Sequence, residues 1–167
     1  MNKIIRNFSV TAIAIPILLA LMYALPHFVP LLSPLRHEAT VTVPDGTKYM
    51  VEIADDEAER ARGLSNLSAL KEHEGKLFVF PSPGRYTFWM KGMRFPIDIL
   101  WLNKGVIVDR VENAPAPKPG ASVKGYLPEA DADLVLEIAA GEVKQHGLTL
   151  GTPVDIHFPA GYSAPTN

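Results

Sequence analysis

Ala39-Thr40-Val41-Thr42-Val43-Pro44-Asp45-Gly46-Thr47-Lys48-Tyr49-Met50-Val51-Glu52-Ile53 is the stretch on which the fold turns. From Ala39 the hydrophobic pattern changes from helical to twofold. A period of two puts alternate side chains on one face of an extended chain, and Pro44-Asp45-Gly46-Thr47 supplies turn chemistry. The stretch therefore reads as a hairpin, Thr40 to Val43 against Lys48 to Ile53.

Downstream, Asp55 or Asp56 is placed to cap a helix with Glu57 in its first turn. Gly63 stands where a left-handed stop is expected, and Ser65 can cap one more short turn. Three segments of strand composition follow, Leu77 to Phe80, Arg85 to Lys91 and Ile97 to Leu102. Pro81-Ser82-Pro83-Gly84 and Gly92 to Pro96 separate them, and Asn103-Lys104-Gly105 turns the chain into Val106 to Val111. They read as a meander or a barrel wall. Glu112 to Gly125 carries three prolines between Ala114 and Pro119 and reads as a long surface loop. Asp133 to Ile138 is a further strand, Gly141 to His146 a helical turn, Gly147 to Gly151 a tight turn and Val154 to Phe158 a last strand. About seven or eight short strands with two small helical pieces predict a mainly β, β-rich α+β domain built as a closed or partly closed barrel. It spans residues 36–160, with a loose tail over 161–167.

Upstream, no charged residue lies between Arg6 and Arg36. Phe8 to Phe28 is apolar enough, at about 1.5 Å per residue, to cross a hydrocarbon core of roughly 30 Å. Lys3 and Arg6 before it favour a cytoplasmic N-terminus. The expectation is a single-pass signal-anchor over residues 1–35 in the inner (cytoplasmic) membrane, with the C-terminal domain periplasmic. A cleaved signal peptide is the alternative, but the apolar run exceeds the usual h-region of about 7–15 residues and no A-x-A-like site stands near Leu25. Pro26, Pro30 and Pro34 are expected to end the helix.

The chain has no Cys, which excludes disulfides and thiolate chemistry, so the domain rests on its own core. From Arg36 onward fourteen Lys and Arg face eighteen Asp and Glu, a formal charge of −4. No basic run interleaved with aromatics is present, and no nucleic-acid partner is expected.

Arg62-Gly63-Leu64-Ser65, Gly75-Lys76-Leu77-Phe78-Val79-Phe80, Phe88-Trp89-Met90-Lys91-Gly92-Met93, Pro96-Ile97-Asp98-Ile99 and Val135-Leu136-Glu137-Ile138-Ala139-Ala140-Gly141 resemble, in order and spacing, the domain of unknown function 192 family. The resemblance runs from Val41 to Phe158. It implies a compact β-rich, barrel-like domain, often behind a signal or anchor segment, and brings no activity with it. Three positions depart from the family pattern as the resemblance gives it: Leu67 in place of Arg, Lys76 in place of Met and Gly92 in place of Asn.

Candidate site residues come from the same blocks. Alternation puts Tyr86, Phe88 and Met90 on one face of their strand and Arg85, Thr87, Trp89 and Lys91 on the other. An indole beside an ammonium can floor a site for a small anionic or glycan ligand; the alternative is a Trp capping the barrel end with a Lys laid over it. Asp98 interrupts an apolar run, Ile97 to Leu102, so it needs partners, and Lys91, Arg94 and Arg62 are the expected ones. Glu137 shares a face with Val135, opposite Leu134, Leu136 and Ile138; a place in solvent or a turn-holding role is the first expectation, and lining a cavity opposite its own core is the alternative. The ligand-binding candidates are thus Arg62, Asn66, Trp89, Lys91, Asp98 and Glu137.

No catalytic constellation is recognisable. There is no G-x-S-x-G, no H-x-x-x-H and neither nucleotide fingerprint; His146 and His157 show no ligand partner at metal-binding spacing. The reading is an envelope module that binds a small ligand or partner, without metal or cofactor. Two alternatives stay open: an envelope hydrolase acting on glycan or peptide through Asp98 and Glu137, and a structural or assembly protein.

Overall fold

The computed structural model describes residues 37–65 and 67–166, so the expected N-terminal anchor and Asn66 lie outside the described residues. Among the described residues no helix is long and apolar enough to cross a membrane. His37–Asn167 forms one compact unit.

The expected hairpin is present as β1 (Glu38–Thr42) and β2 (Lys48–Ala54), antiparallel with Val41 opposite Tyr49. Asp56 caps α1 (Glu57–Arg62) by accepting from the Glu59 amide, and Gly63 ends it at φ 51°. The chain then runs through β3 (Glu74–Gly84), β4 (Phe88–Trp89), β5 (Ile97–Asn103), β6 (Val106–Ala114), β7 (Gly125–Tyr126), β8 (Ala132–Ala139), α2 (Glu142–Gln145) and β9 (Asp155–His157).

Seven strands form one sheet in the order β6-β5-β8-β3-β2-β1-β9, while β4 and β7 make a separate two-stranded ribbon. The meander is therefore corrected. β8 inserts between β3 and β5, antiparallel to both, and β2 and β3 pair in parallel through the α1 crossover. The strand expected over Arg85 to Lys91 pairs only at Phe88 and Trp89, against Tyr126 and Gly125. Local composition predicts that a segment is extended; it does not say which ladder the segment joins. β3 also continues to Gly84, through the prolines expected to end it, with its register to β8 shifting between Val79 and Gly84.

The sheet curls into a half-barrel. Val41 of β1 and Ile107 of β6 lie far apart in strand order, yet they share one core with Tyr49, Leu77, Leu100 and Leu136. The two edges approach each other, with a bridge between Val106 and Pro153 and the Ile107 amide donating to the Thr152 carbonyl at 3.0 Å. After β9, Tyr162 stacks on Phe158 with centroids 4.6 Å apart, so the tail is packed at least that far.

A second core covers the opposite face. Phe78 of β3, Ile99 and Trp101 of β5 and Val135 of β8 are buried there beneath Leu64, Phe88, Met90 and Met93. Burial on both faces explains why Ile97 to Leu102 is uninterrupted by surface polar residues.

Candidate functional site

A cavity of about 190 Å³ opens over this second face. α1 and the turn after it supply Arg60, Arg62, Leu64 and Ser65, β3 supplies Phe78 and Phe80, the segment around β4 supplies Tyr86 to Trp89 and Lys91, and β8 supplies Glu137. The side chains reach it by simple alternation: Phe78 and Phe80 are two residues apart on β3, and Val135 and Glu137 on β8.

The walls are aromatic. Phe78 meets Phe88 edge to face at 4.7 Å, and Phe80 stacks on Tyr86 at 3.6 Å. Tyr86 is fixed from both ends, its hydroxyl donating to the Ser82 carbonyl and its carbonyl accepting from Trp101 Nε1 at 2.9 Å. The Arg60 guanidinium lies over the Phe80 ring and donates to the carbonyls of Asp55 and Val79.

Glu137 is the one acidic side chain among the described lining residues. It is 5 % exposed, and its Oε2 has no hydrogen-bond partner. Of the two expectations for it, solvent is overturned and a cavity opposite its own core holds, because α1 and the segment after β3 cover the face that strand alternation alone marks as outer. Burial pushes its carboxyl up to about 8, with the Lys76 ammonium pulling the other way. Lys76 is directly opposite Glu137 in the β3–β8 ladder and opposite Glu52 in the β2–β3 ladder. It is 2 % exposed and contacts Glu52 Oε1 at 3.4 Å. A buried ammonium thus lies between two carboxyls at a position where the resemblance leads one to expect Met.

At the mouth, Trp89 is 59 % exposed with Lys91 Nζ 6.0 Å from its ring centroid, and Arg62 is exposed at the end of α1. Among the described residues neither Arg62 nor Lys91 has a carboxylate partner. Four of the six sequence candidates, Arg62, Trp89, Lys91 and Glu137, therefore line one cavity. Asn66 lies outside the described residues.

Asp98 stands elsewhere, and its partners are corrected. It is fully buried, and its carboxylate accepts from the backbone amides of Asn113 at 2.7 Å, Gly141 at 3.0 Å and Val143 at 2.8 Å, rather than from Lys91, Arg94 or Arg62. These bonds hold the end of β6 and the start of α2. Asp98 pairs in register with Ile138, and Glu137 with Ile99. Register partners share a face, so the two carboxyls lie on opposite faces of the wall, and an Asp98/Glu137 acid/base pair about one glycosidic bond cannot form.

The sequence reading missed Arg60, Phe78, Phe80 and Tyr86 as cavity residues. The spacing of Phe78 and Phe80 beside Lys76 was the available signal. It also missed a polar cluster at the hairpin end. His146 Nδ1 is 2.6 Å from Asp45 and its Nε2 3.2 Å from Glu142, which accepts from the Tyr49 hydroxyl at 2.6 Å. The hydrogen bond to His146 brings the Asp45 carboxyl down to about 2, and burial with the Glu142 bond pushes the Tyr49 hydroxyl up. These groups satisfy one another and latch α2 to the β1–β2 turn.

The described residues thus form a β half-barrel domain with an aromatic-walled cavity on the outer face of its sheet. The chain belongs to the domain of unknown function 192 family (DUF192), described as Uncharacterized ACR, whose model matches residues 40–156. Two crystal structures are similar. One is a protein of unknown function from Novosphingobium aromaticivorans DSM 12444, at 28 % identity and TM-score 0.60 over 71 % of this chain and 83 % of that one. The other, described as a candidate transcription regulator from Sinorhizobium meliloti 1021, has 27 % identity and TM-score 0.61 over 71 % of this chain and 92 % of that one. Among curated proteins, none matches the chain.

Proposed function

We propose that this domain is a non-catalytic binding module for a small ligand, tethered to the periplasmic face of the inner membrane by its N-terminal apolar segment. One observation carries the binding reading: a buried carboxyl with an unpartnered oxygen sits in an aromatic cavity whose other charged lining residues are cationic. An unpaired buried polar atom costs about 1–3 kcal/mol, a cost that a ligand atom supplying its partner removes. The tether rests on Phe8 to Phe28 and on the basic residues before it. The description of the Sinorhizobium protein does not extend to this chain, whose domain carries a formal charge of −4 and no basic cluster suited to a phosphate backbone.

The binding reading is tested by following the two Trp indole resonances of the full-length chain while small anions, sugars, amines and aromatic acids are added. A saturable shift at Trp89 with Trp101 unmoved is expected. No shift from any compound overturns it. The tether is tested by fractionation: the full chain is expected in the alkaline-washed membrane pellet, and recovery in the wash overturns that part.

A further inference from the structure

We infer that the cavity takes a small aromatic acid, its ring between Phe78, Phe80 and Phe88, its anionic group at Arg62 and Lys91, and a neutral hydrogen-bonding substituent against Glu137. This rests on the small-ligand reading above and names the class.

Size comes first. Drug-sized pockets run to about 300–1,000 Å³, whereas an apolar cavity of about 150 Å³ takes benzene. At about 190 Å³ this one holds a single ring with small substituents.

Hydrogen-bonding capacity then separates an aromatic ring from a sugar. The Ser65 hydroxyl donates to the Arg62 carbonyl, the Tyr86 hydroxyl donates to Ser82, and Arg60 is turned to the carbonyls of Asp55 and Val79. Thr87 is exposed at the rim, and what remains inside is chiefly aromatic edge and face. A pyranose enclosed there would leave most of its hydroxyls unpaired, at a cost that an aromatic ring does not incur.

Charge fixes the orientation. The charged groups around Glu137 are Lys76 of β3, with Glu52 of β2 beyond it, Arg60 and Arg62 at the end of α1, and Lys91 beyond β4; β5 places Ile99 beside it. Lys76 contacts Glu52, and Arg60 is held by backbone carbonyls. That leaves Arg62 and Lys91 at the mouth, in a domain that is negative overall, as the place for a ligand's anionic group. Glu137 is buried and has no cation in hydrogen-bond contact, so it serves as a neutral acid, with one O–H to donate and a carbonyl oxygen to accept. A phenolic hydroxyl matches that pair.

The experiment titrates the full-length chain with 4-hydroxybenzoate, benzoate, 4-hydroxybenzyl alcohol and tyramine, following Trp89 and Glu137. 4-Hydroxybenzoate is expected to bind roughly tenfold more tightly than benzoate, which lacks the inner hydroxyl, or than the alcohol, which lacks the charge. Glu137→Gln keeps a donor and an acceptor and is expected to bind 4-hydroxybenzoate within about threefold of the parent, whereas Glu137→Leu loses the preference over benzoate. Below the range in which the phenol itself ionises, affinity in the parent falls as pH rises through about 8, and stays flat in Glu137→Gln. Tighter binding of tyramine would make Glu137 a counter-ion and overturn the inference. A Trp89 shift with sugars or inorganic phosphate but not aromatic acids overturns the class while leaving the small-ligand reading intact. Silence across the whole panel overturns both.

Discussion

Two carboxyls on neighbouring strands meet opposite surroundings. Asp98 meets three backbone amides, which take the place of water as its hydrogen-bond donors. Glu137 meets aromatic rings and a lysine that also contacts Glu52. Asp98→Ala is expected to destabilise the domain by about 3 kcal/mol or more, since it leaves three buried donors unmet at about 1–3 kcal/mol each; the urea midpoint reads it. For Glu137 the pH dependence has a definite sign. The unfolded chain gives up this proton near the ordinary 4.5, the folded one near 8, so between those values the native state holds the extra proton and stability falls as pH rises. Glu137→Gln has no such dependence. Its stability relative to the parent is expected to grow from about pH 4.5 to about pH 8 by on the order of 4 kcal/mol, then level off. An equal difference at about pH 5 and about pH 9 would show that the burial penalty is absent. Lys76→Met removes the cation opposite Glu137 in the ladder, which favours the charged form, so the Glu137 carboxyl is expected to titrate still higher by 13C NMR, with fold stability little changed or raised.

The strands and helices were legible wherever one local signal sufficed. The β1–β2 hairpin announces itself by alternation and a Pro-Asp-Gly turn, and α1 by Asp56 and Gly63. Strand partners were not legible, because β3, β5 and β8 are brought together by long connections and their apolar patterns are alike. That is also why alternation alone does not decide between solvent and a cavity for Glu137: it shows that Glu137 opposes Leu136 and Ile138, but only the packing of α1 and the 85–93 segment on the outer face turns that side into a second interior. Asp98 stands out in the sequence as anomalous, yet its partners are backbone amides at the end of β6 and the start of α2, which side-chain patterns do not reveal. The ladder beside the cavity depends on Gly75, where a Cβ would come within 2.5 Å of the Glu137 carbonyl oxygen. Gly75→Ala is expected to push β3 and β8 apart there and cost about 1–3 kcal/mol, measured by thermal unfolding, with amide exchange fastest at Lys76 and Glu137.

At the scale of the whole domain, one curled sheet is asked to bury two cores. The concave core joins β1 to β6 across the half-barrel, and the outer core gathers around Phe78 and Trp101. The cavity belongs to the outer one, so ligand contacts and barrel closure are supported by different sets of side chains. Substitutions that enlarge the cavity are expected to leave closure intact: Phe80→Leu should lower thermal stability by a few degrees while the Ile107 and Val154 amides, which close the barrel, keep their exchange protection.

β1 and β9 are antiparallel neighbours, with Thr40 opposite His157. The place where the chain enters the domain is therefore also the place where it leaves. The order of the strands along the polypeptide is then separable from their order in space. A chain rewired by a short linker from the end of β9 to the start of β1, and opened instead within the 115–124 loop, would carry every ladder of the half-barrel and both of its cores. Its new N-terminus would lead into β7, where Gly125 pairs with Trp89, which would let a tag or tether be attached at the cavity mouth.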